Sequence, residues 1–203
     1  MCIHQRYLAA SIVGLTCFAA TAPLAQDTGL YGEAIPADAA FVRWIDGAVS
    51  LDRAAFGYDF SETEIPSATY VAVSAAMLTG AASGGYYTVI ENAAGDVEIV
   101  QEPSRDDASK VHLFLLNGGA EAVTLNVAEA GSEVIGATDA MDANARAVNP
   151  VTATLAVQQA VTNTVLAKFD VALRRGQNMT FAVIGDEVIL IPSAFGPVIG
   201  AGS

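Results

Sequence analysis

Histidine and cysteine, the side chains that most often act as base or nucleophile in group-transfer enzymes, are scarce in this chain. The 203 residues include two histidines and two cysteines, and three of these four, Cys2, His4 and Cys17, precede residue 26. His112 is therefore the one imidazole beyond that point. A serine nucleophile needs a base within hydrogen-bond reach, and the sequence has no G-x-S-x-G turn to present such a serine. We predict no catalytic residues and a protein that is not an enzyme.

The setting of His112 favours a structural role over a catalytic one. It alternates with Val111 and Leu113, and it shares one face of this predicted strand with Lys110. A lysine two residues away indicates the solvent side of a half-buried strand. We therefore expect His112 to be a solvent-facing strand residue rather than a general base. Two carboxylates can in principle act as acid and base, but spacing alone selects no pair among the 22 acids.

Metal and cofactor motifs are equally weak. Zinc sites use cysteine and histidine, and of these types only His112 follows residue 25. Asp139, Asp142 and Asn144 offer the oxygen ligands that calcium prefers. The closing glutamate of a calcium loop is missing, so an ordinary acidic loop is the simpler interpretation. We predict no metal site and no cofactor.

The acidic composition excludes two classes of partner. The net charge is −13, and removing residues 1–25 deletes Arg6 and no acidic residue, which takes the charge to −14. Nucleic-acid binding depends on Lys and Arg contacts to phosphate, and anionic lipid surfaces attract basic segments. We therefore predict neither nucleic-acid binding nor direct membrane insertion.

A polyanionic polysaccharide is repelled for the same reason. Two like unit charges about 10 Å apart in water repel by roughly 0.4 kcal/mol before screening, and the effect accumulates along a charged polymer. A local basic patch would offset this repulsion, and Arg43, Arg53 or the pair Arg174 and Arg175 are the candidates. Polysaccharide binding is thus disfavoured by the net charge but stays open.

The first 25 residues have the features of a secretory signal peptide. A weakly basic start is followed by the apolar run Leu8–Ala20 and by small residues. This run is shorter than the roughly 18–20 residues needed to span a bilayer. We expect an exported protein cleaved after Ala25, with Ala22 as the alternative. Both cysteines leave with this segment, so the fold must rely on a packed core rather than on disulfides.

Beyond about residue 40, apolar residues alternate with polar ones in short segments bounded by glycine, proline, asparagine or aspartate, a pattern typical of β-strands. Tyr86–Ile90 and Val97–Val100, separated by a short turn, predict a hairpin. The polar segment Gln101–Asp107 contains a proline and indicates a linker, while the glycine-rich tail from Phe195 indicates a frayed end. Further strands are expected at Ala40–Ile45, Thr69–Val73, Val111–Leu115, Val123–Val127, Val151–Val157, Phe169–Leu173, Phe181–Val183 and Val188–Ile191.

Strands at roughly ten-residue spacing favour an all-β fold of sandwich type. We predict two small antiparallel β-sandwich-like domains joined by a short linker. The signal peptide occupies 1–25, the N-terminal domain 26–102 and the C-terminal domain 103–203. Trp44 is the one tryptophan in the chain, and we expect it to pack in the core rather than to bind a sugar.

Six short segments occur in order along the chain: Leu30–Gly32, Phe41–Arg43, Tyr86–Val89, Ile99–Pro103, Val111–Asn117 and Arg146–Val151. Together they resemble the AlgF family, the periplasmic accessory proteins of alginate O-acetylation. The similarity runs from about residue 30 to residue 190. It has two departures: residues 48–65 have no convincing match, and the chain is more acidic than expected of the family.

This resemblance implies a periplasmic protein with two β-sandwich domains and no known catalytic activity. It implies docking with an AlgJ-type acetyltransferase that works with an AlgI-type membrane acyltransferase on a polyuronate, either alginate or another exopolysaccharide. Leu30, Tyr31 and Gly32 are candidate partner-binding residues, because an aromatic side chain beside a flexible terminus can anchor an interface. The alternative is that Tyr31 closes the sheet of the first domain.

Overall fold

Strands dominate the computed structural model, which describes residues 34–45, 53–92 and 96–200. The expected signal peptide at 1–25 and the candidate residues Leu30, Tyr31 and Gly32 lie outside the described residues. The helical structure in the described ranges is a 3-10 turn at Ala75–Met77, and no helix there is long and apolar enough to cross a membrane. In chain order the strands are β1 (Ala39–Trp44), β2 (Ala54–Ala55), β3 (Tyr58–Asp59), β4 (Thr69–Ser74), β5 (Tyr86–Glu91), β6 (Val97–Glu102), β7 (Val111–Gly118), β8 (Val123–Val127), β9 (Glu133–Thr138), β10 (Asp142–Val148), β11 (Thr152–Gln159), β12 (Val165–Ala172), β13 (Asn178–Ile184), β14 (Glu187–Pro192) and β15 (Ala194–Ile199).

Within the described residues these strands form three larger sheets and one small hairpin. The first sheet has the order β15-β4-β1-β5-β6, the middle sheet β10-β7-β13-β14 and the outer sheet β12-β11-β8-β9, while β2 pairs with β3. The prediction of an all-β, sandwich-like fold is confirmed. Most neighbouring strands are antiparallel, but the pairs β1–β5, β7–β13 and β4–β15 are parallel, which the sequence pattern did not indicate.

The middle sheet is covered on both faces. Leu115 and Phe181 point to one side and pack with Leu125 of the outer sheet. The next residue on β7, Leu116, points to the other side and packs with Ile45 of the first sheet. All eight residues of β7 are buried as a result, as expected of a strand that lies between two layers.

The opposite face of the first sheet is covered by the segment that contains β2 and β3. Val42 and Trp44 of β1 share a buried cluster with Phe60 and Ile65 of that segment. The rings of Trp44 and Phe60 meet edge to face with centroids 4.9 Å apart, an arrangement that aromatic pairs prefer. Trp44 therefore lies in the core, as its strand position predicted.

The C-terminal tail contradicts one expectation. The segment from Phe195, expected to be frayed, belongs to β15 and pairs with β4 at the edge of the first sheet. A Cβ at residue 196 would lie 2.7 Å from Cγ2 of Thr69, so Gly196 allows the close approach of the two strands. The first sheet thus contains strands from both sides of the predicted boundary at 102/103, and the division into two domains stays a prediction.

Candidate interaction site

A buried ionic cluster joins the first sheet to the middle sheet. Arg43 on β1 is fully buried, and the side chains of Glu102, at the end of β6, and Arg105, just beyond it, are 1% and 5% exposed. Nη2 of Arg43 lies 3.0 Å from Oε1 of Glu102, and Nη2 of Arg105 lies 2.8 Å from Oε2. One carboxylate is therefore shared by two guanidinium groups.

Three hydroxyl groups complete this buried ionic cluster. Tyr70 on β4 donates to both carboxylate oxygens of Glu102, at 2.6 and 2.8 Å, and Thr88 on β5 donates to Oε1. Arg43 donates from Nε to Oγ1 of Thr88 at 2.9 Å and from Nη2 to Oγ1 of Thr180 at 3.0 Å. Because Thr180 belongs to β13, the last bond crosses from the first sheet to the middle sheet and ties the two layers together.

Burial strongly raises the pKa of Tyr70. The side chain has no accessible surface, so loss of hydration disfavours the tyrosinate, and the negative charge of Glu102 adds to the rise. The positive charges of Arg43 and Arg105 act in the opposite direction with smaller effect. The phenol therefore stays protonated and remains a hydrogen-bond donor to the carboxylate.

The buried ionic cluster carries one surplus positive charge. Arg43 and Arg105 face the single carboxylate of Glu102, and within the described residues Nη1 of Arg43 and both Nε and Nη1 of Arg105 have no hydrogen-bond partner. Aromatic rings supply part of the missing stabilisation, since Cζ of Arg105 lies 3.8 Å from the ring centroid of Tyr86 and 4.6 Å from that of Phe114. Cation–π attraction is strongest where both groups are removed from water.

The alternation of β1 explains why Arg43 points inward. Phe41, Arg43 and Ile45 share one face of the strand, and the middle sheet covers that face at Arg43 and Ile45, which are both fully buried. Arg43 was one of the candidates for an exposed basic patch, and its burial excludes it from such a patch. The signal available in the sequence was the pair Phe41 and Ile45, two apolar residues on the same strand face as Arg43.

His112 is buried, so the prediction of a solvent-facing residue is wrong. Its face of β7 also carries Phe114 and Leu116, and this face packs against the first sheet rather than meeting water. Nδ1 of His112 lies 3.2 Å from Oδ1 of Asn178 on β13, and its ring lies 6.3 Å from the ring of Phe114, centroid to centroid. An amide partner orients the imidazole but cannot serve as the nucleophile that a catalytic histidine activates.

Two residues of the calcium-loop-like motif, Asp142 and Asn144, make local hydrogen bonds. Oδ1 of Asp142 accepts from the backbone N–H of Ala143 at 2.8 Å, and Nδ2 of Asn144 donates to Oγ1 of Thr138 at 3.2 Å. In the part of the chain that the structure describes, no group of three or more His, Cys, Asp or Glu side chains is arranged to hold a metal ion.

Four aromatic rings form a partly exposed surface beside the buried ionic cluster. We call this surface the aromatic shelf, and it consists of Phe41, Tyr70, Tyr86 and Phe195, from β1, β4, β5 and β15 respectively. Phe41 stacks on Tyr86 with centroids 4.7 Å apart, and Phe195 lies 5.5 Å from Tyr70 and 5.7 Å from Phe41. Phe195 is 54% exposed, Phe41 and Tyr86 are half-buried, and Tyr70 lies beneath them. Sequence analysis missed the shelf because its fourth ring comes from the C-terminal strand.

Two exposed acidic residues, which we call the acidic rim, directly follow in the chain the arginine that packs on Tyr86. Asp106 and Asp107 are exposed and directly follow Arg105 in the chain. Hydrogen bonds from the side chain and backbone of Ser109 hold the pKa of Asp107 below its usual value, so this carboxyl is ionised at neutral pH. Both ion pairs between described residues use Glu102, so the exposed carboxylates in those ranges form no ion pair with a described lysine or arginine.

The chain has clear relatives of known family. Residues 10–180 match the sequence model of the family described as "Alginate O-acetyl transferase AlgF". "Alginate biosynthesis protein AlgF" of Pseudomonas syringae pv. tomato is 28% identical over 180 residues, which cover 83% of this chain and 81% of that protein. The protein of the same name from Pseudomonas fluorescens is 28% identical over 196 residues, which cover 90% and 86%.

Among solved structures, the C-terminal domain of AlgF from P. aeruginosa aligns with 41% of this chain and 98% of its own length, at 21% identity and a TM-score of 0.37. The family match rests on the sequence and spans most of the chain, from the apolar N-terminal run to β13. This chain therefore belongs to the AlgF family.

Proposed function

We propose that this chain is a non-catalytic accessory protein of the periplasm, required for O-acetylation of alginate or a similar exopolysaccharide, and that it acts by binding the acetyltransferase machinery. Its family supports the process, because the family description names alginate O-acetyl transfer and the relatives are named as alginate biosynthesis proteins. In our proposal, the transferase activity that this description names is carried by a partner of the chain and not by the chain itself.

The environment of His112 is the observation that carries the non-catalytic part of this proposal. The residue is 6% exposed, and its Nδ1 faces the side-chain amide of Asn178 on the neighbouring strand β13. Acyl transfer through a serine needs an imidazole that reaches the hydroxyl and a site that admits substrate. We therefore propose that a partner performs the acetyl transfer and that this chain provides a surface that positions the partner.

The partner that we propose is an AlgJ-type acetyltransferase, and with it an AlgI-type membrane acyltransferase. Export through the signal peptide at 1–25, with cleavage after Ala25 or Ala22, brings the mature chain to the periplasm. Leu30, Tyr31 and Gly32 remain proposed anchor residues close to the new N-terminus. A specific interface of this kind buries about 1,200–2,000 Å² in total.

Calorimetric titration of the mature chain into the purified cognate AlgJ-type acetyltransferase tests the proposal. We expect a one-to-one complex with a Kd on the order of tens of micromolar or tighter. His112→Gln keeps an amide that can pair with Asn178 and removes the base, so this variant should bind equally well. Absence of a complex, or acetyl-ester turnover by the chain alone that His112→Gln abolishes, would overturn the proposal.

Polysaccharide binding is the second candidate function, and the aromatic shelf is the observation that favours it, since exposed rings can stack on sugars. The net charge of −14 expected for the mature chain opposes association with a polyuronate, and Arg43 is buried in the ionic cluster and unavailable to the polymer. Titration with an oligouronate at high and low salt separates the two functions, because a true sugar groove still binds at low salt.

A further inference from the structure

We propose that the aromatic shelf is the docking site for a basic protein segment, which places an apolar side chain against Phe195 and Tyr86 and lysine or arginine at the acidic rim. This inference rests on the proposed function, because it assigns the interface through which the adaptor acts. The shelf and its rim consist of described residues only, so the inference is independent of the proposed anchor at residues 30–32.

The shelf has the composition of an interface centre. Aromatic residues and arginine are enriched in the few residues that dominate binding energy. Phe195 exposes 54% of its surface, and the neighbouring rings of Phe41 and Tyr86 are half-buried. The rings hold one another through stacked and edge-to-face contacts, and Arg105 packs behind Tyr86 at 3.8 Å. A pre-ordered surface loses little side-chain entropy when a partner binds.

The charges around the shelf select a basic partner. Asp106 and Asp107 are exposed next to Arg105, and the mature chain is expected to carry −14 in total. Such a field attracts a positively charged segment over distances near the Debye length, about 8–10 Å. The guanidinium of Arg105 already occupies the inner side of the Tyr86 ring. We therefore place the partner's apolar side chain over the rings and its cations at the rim.

The same charges disfavour two other candidate occupants of the shelf, a second copy of this chain and a polyuronate. A second copy of this chain would bring an equal negative charge to the interface, and a polyuronate would bring one carboxylate per sugar. Like charges brought together in an interface oppose association. A lysine- or arginine-flanked segment instead brings the opposite charge to the exposed carboxylates of Asp106 and Asp107.

Three substitutions of Phe195 test the inference in the calorimetric titration with the cognate acetyltransferase. We expect Phe195→Ala to weaken binding by about tenfold or more. Phe195→Lys should weaken it further, because it adds a cation facing the partner's cations, and Phe195→Glu should bind more tightly than Phe195→Lys. Val161, an 85% exposed apolar residue of the C-terminal half, provides the matched controls Val161→Ala, Val161→Lys and Val161→Glu, which should each stay within about twofold of wild type.

The rim is tested separately. Asp106→Asn keeps an oxygen that can accept from Ser104, as the carboxylate does at 2.5 Å, and removes one negative charge. We expect several-fold weaker binding and a shallower dependence of Kd on salt. Asp139→Asn, on the exposed turn before β10, is the control and should change neither. Thermal unfolding of each variant shows whether it is folded, and Asp106→Asn keeps the test valid if Phe195→Ala does not fold.

The outcomes separate the two proposals. If wild type binds the acetyltransferase and the Phe195 and Asp106 variants bind as well as their controls, the inference is wrong while the adaptor function stands. If wild type does not bind at all, the proposed function is wrong, and the inference that rests on it is wrong as well. Tight binding of an oligouronate lost in Phe195→Ala, or a wild-type dimer in light scattering that Phe195→Ala dissociates, would also overturn the inference in favour of those occupants.

Discussion

Replacing Glu102 with glutamine removes the carboxylate that pairs with both buried arginines. Oε1 accepts from Arg43, Tyr70 and Thr88, and Oε2 accepts from Arg105 and Tyr70. Glutamine can still accept at one oxygen, but its amide nitrogen is a donor that faces other donors. Two guanidinium groups would then remain buried with no counter-charge from this site.

The expected loss of stability is large. Breaking a buried ion pair from one side costs about 3–5 kcal/mol, against a total stability of about 5–15 kcal/mol for a typical domain. The discount for solvent screening is small here because the side chains of Arg43 and Glu102 are 0% and 1% exposed. At about 2–4 °C for each kcal/mol in a protein of this size, the unfolding midpoint of Glu102→Gln should fall by roughly 6–20 °C.

Urea denaturation followed by circular dichroism and by Trp44 fluorescence measures this loss. Glu98→Gln is the matched control, since Glu98 lies on the same strand and is exposed, and its free energy of unfolding should change by less than about 0.5 kcal/mol. Arg105→Met removes the surplus cation and leaves Arg43 paired, so it should cost less than Glu102→Gln. A loss below about 1 kcal/mol for Glu102→Gln, or a larger loss for Arg105→Met, would refute the reasoning about the buried charge.

Three further predictions follow from the charges of the described residues. The pKa of Tyr70 is raised in the folded state. The contribution of this phenol to folding stability is therefore complete below its unfolded pKa of about 10 and is lost as pH rises above that value. Tyr70→Phe should make the alkaline decrease of the urea midpoint less steep. The pKa values of Asp38 and Asp107 are lowered, mainly by side-chain hydrogen bonds from Ser74 and Ser109 respectively. Their contribution to folding stability is therefore present above the unfolded pKa of about 3.9 and is lost as pH falls through the folded values. Asp107→Asn should make the decrease of stability at acidic pH less steep, and an unchanged slope would contradict the assignment. Raising NaCl from about 0.05 to 0.5 M should increase the unfolding midpoint, because the surface carboxylates repel one another without paired cations; a decrease would contradict this.

The sequence predicted the local elements well because strand alternation is a local property. The hairpin expected from Tyr86–Ile90 and Val97–Val100 is present as β5 and β6, with Val89 opposite Ile99. Trp44 lies in the core, as its position on an apolar strand indicated. In each case the two faces of a strand differ in polarity, and the sequence shows that difference directly.

The packing of layers could not be read from the same pattern. Alternation shows that Lys110 and His112 share a face, but not that His112 is buried beside Asn178 of β13. Arg43 likewise resembles a surface residue until Glu102, 59 positions later in the chain, supplies its counter-charge. The parallel pairing of β15 with β4 brings Gly196 close to Thr69, which is far away in the sequence. The ionic cluster and the aromatic shelf are products of such long-range contacts, so local patterns do not show which residues they bring together.

We propose that the chain supports O-acetylation without performing it, and one measurement tests this proposal most directly. Cells that lack the native gene are complemented with wild type or with His112→Gln, and the O-acetyl content of the secreted polymer is quantified by NMR. We expect the same acetyl content for both, because in our proposal His112 takes no part in acetyl transfer. Loss of acetylation with a folded His112→Gln variant that still binds the acetyltransferase would contradict the account.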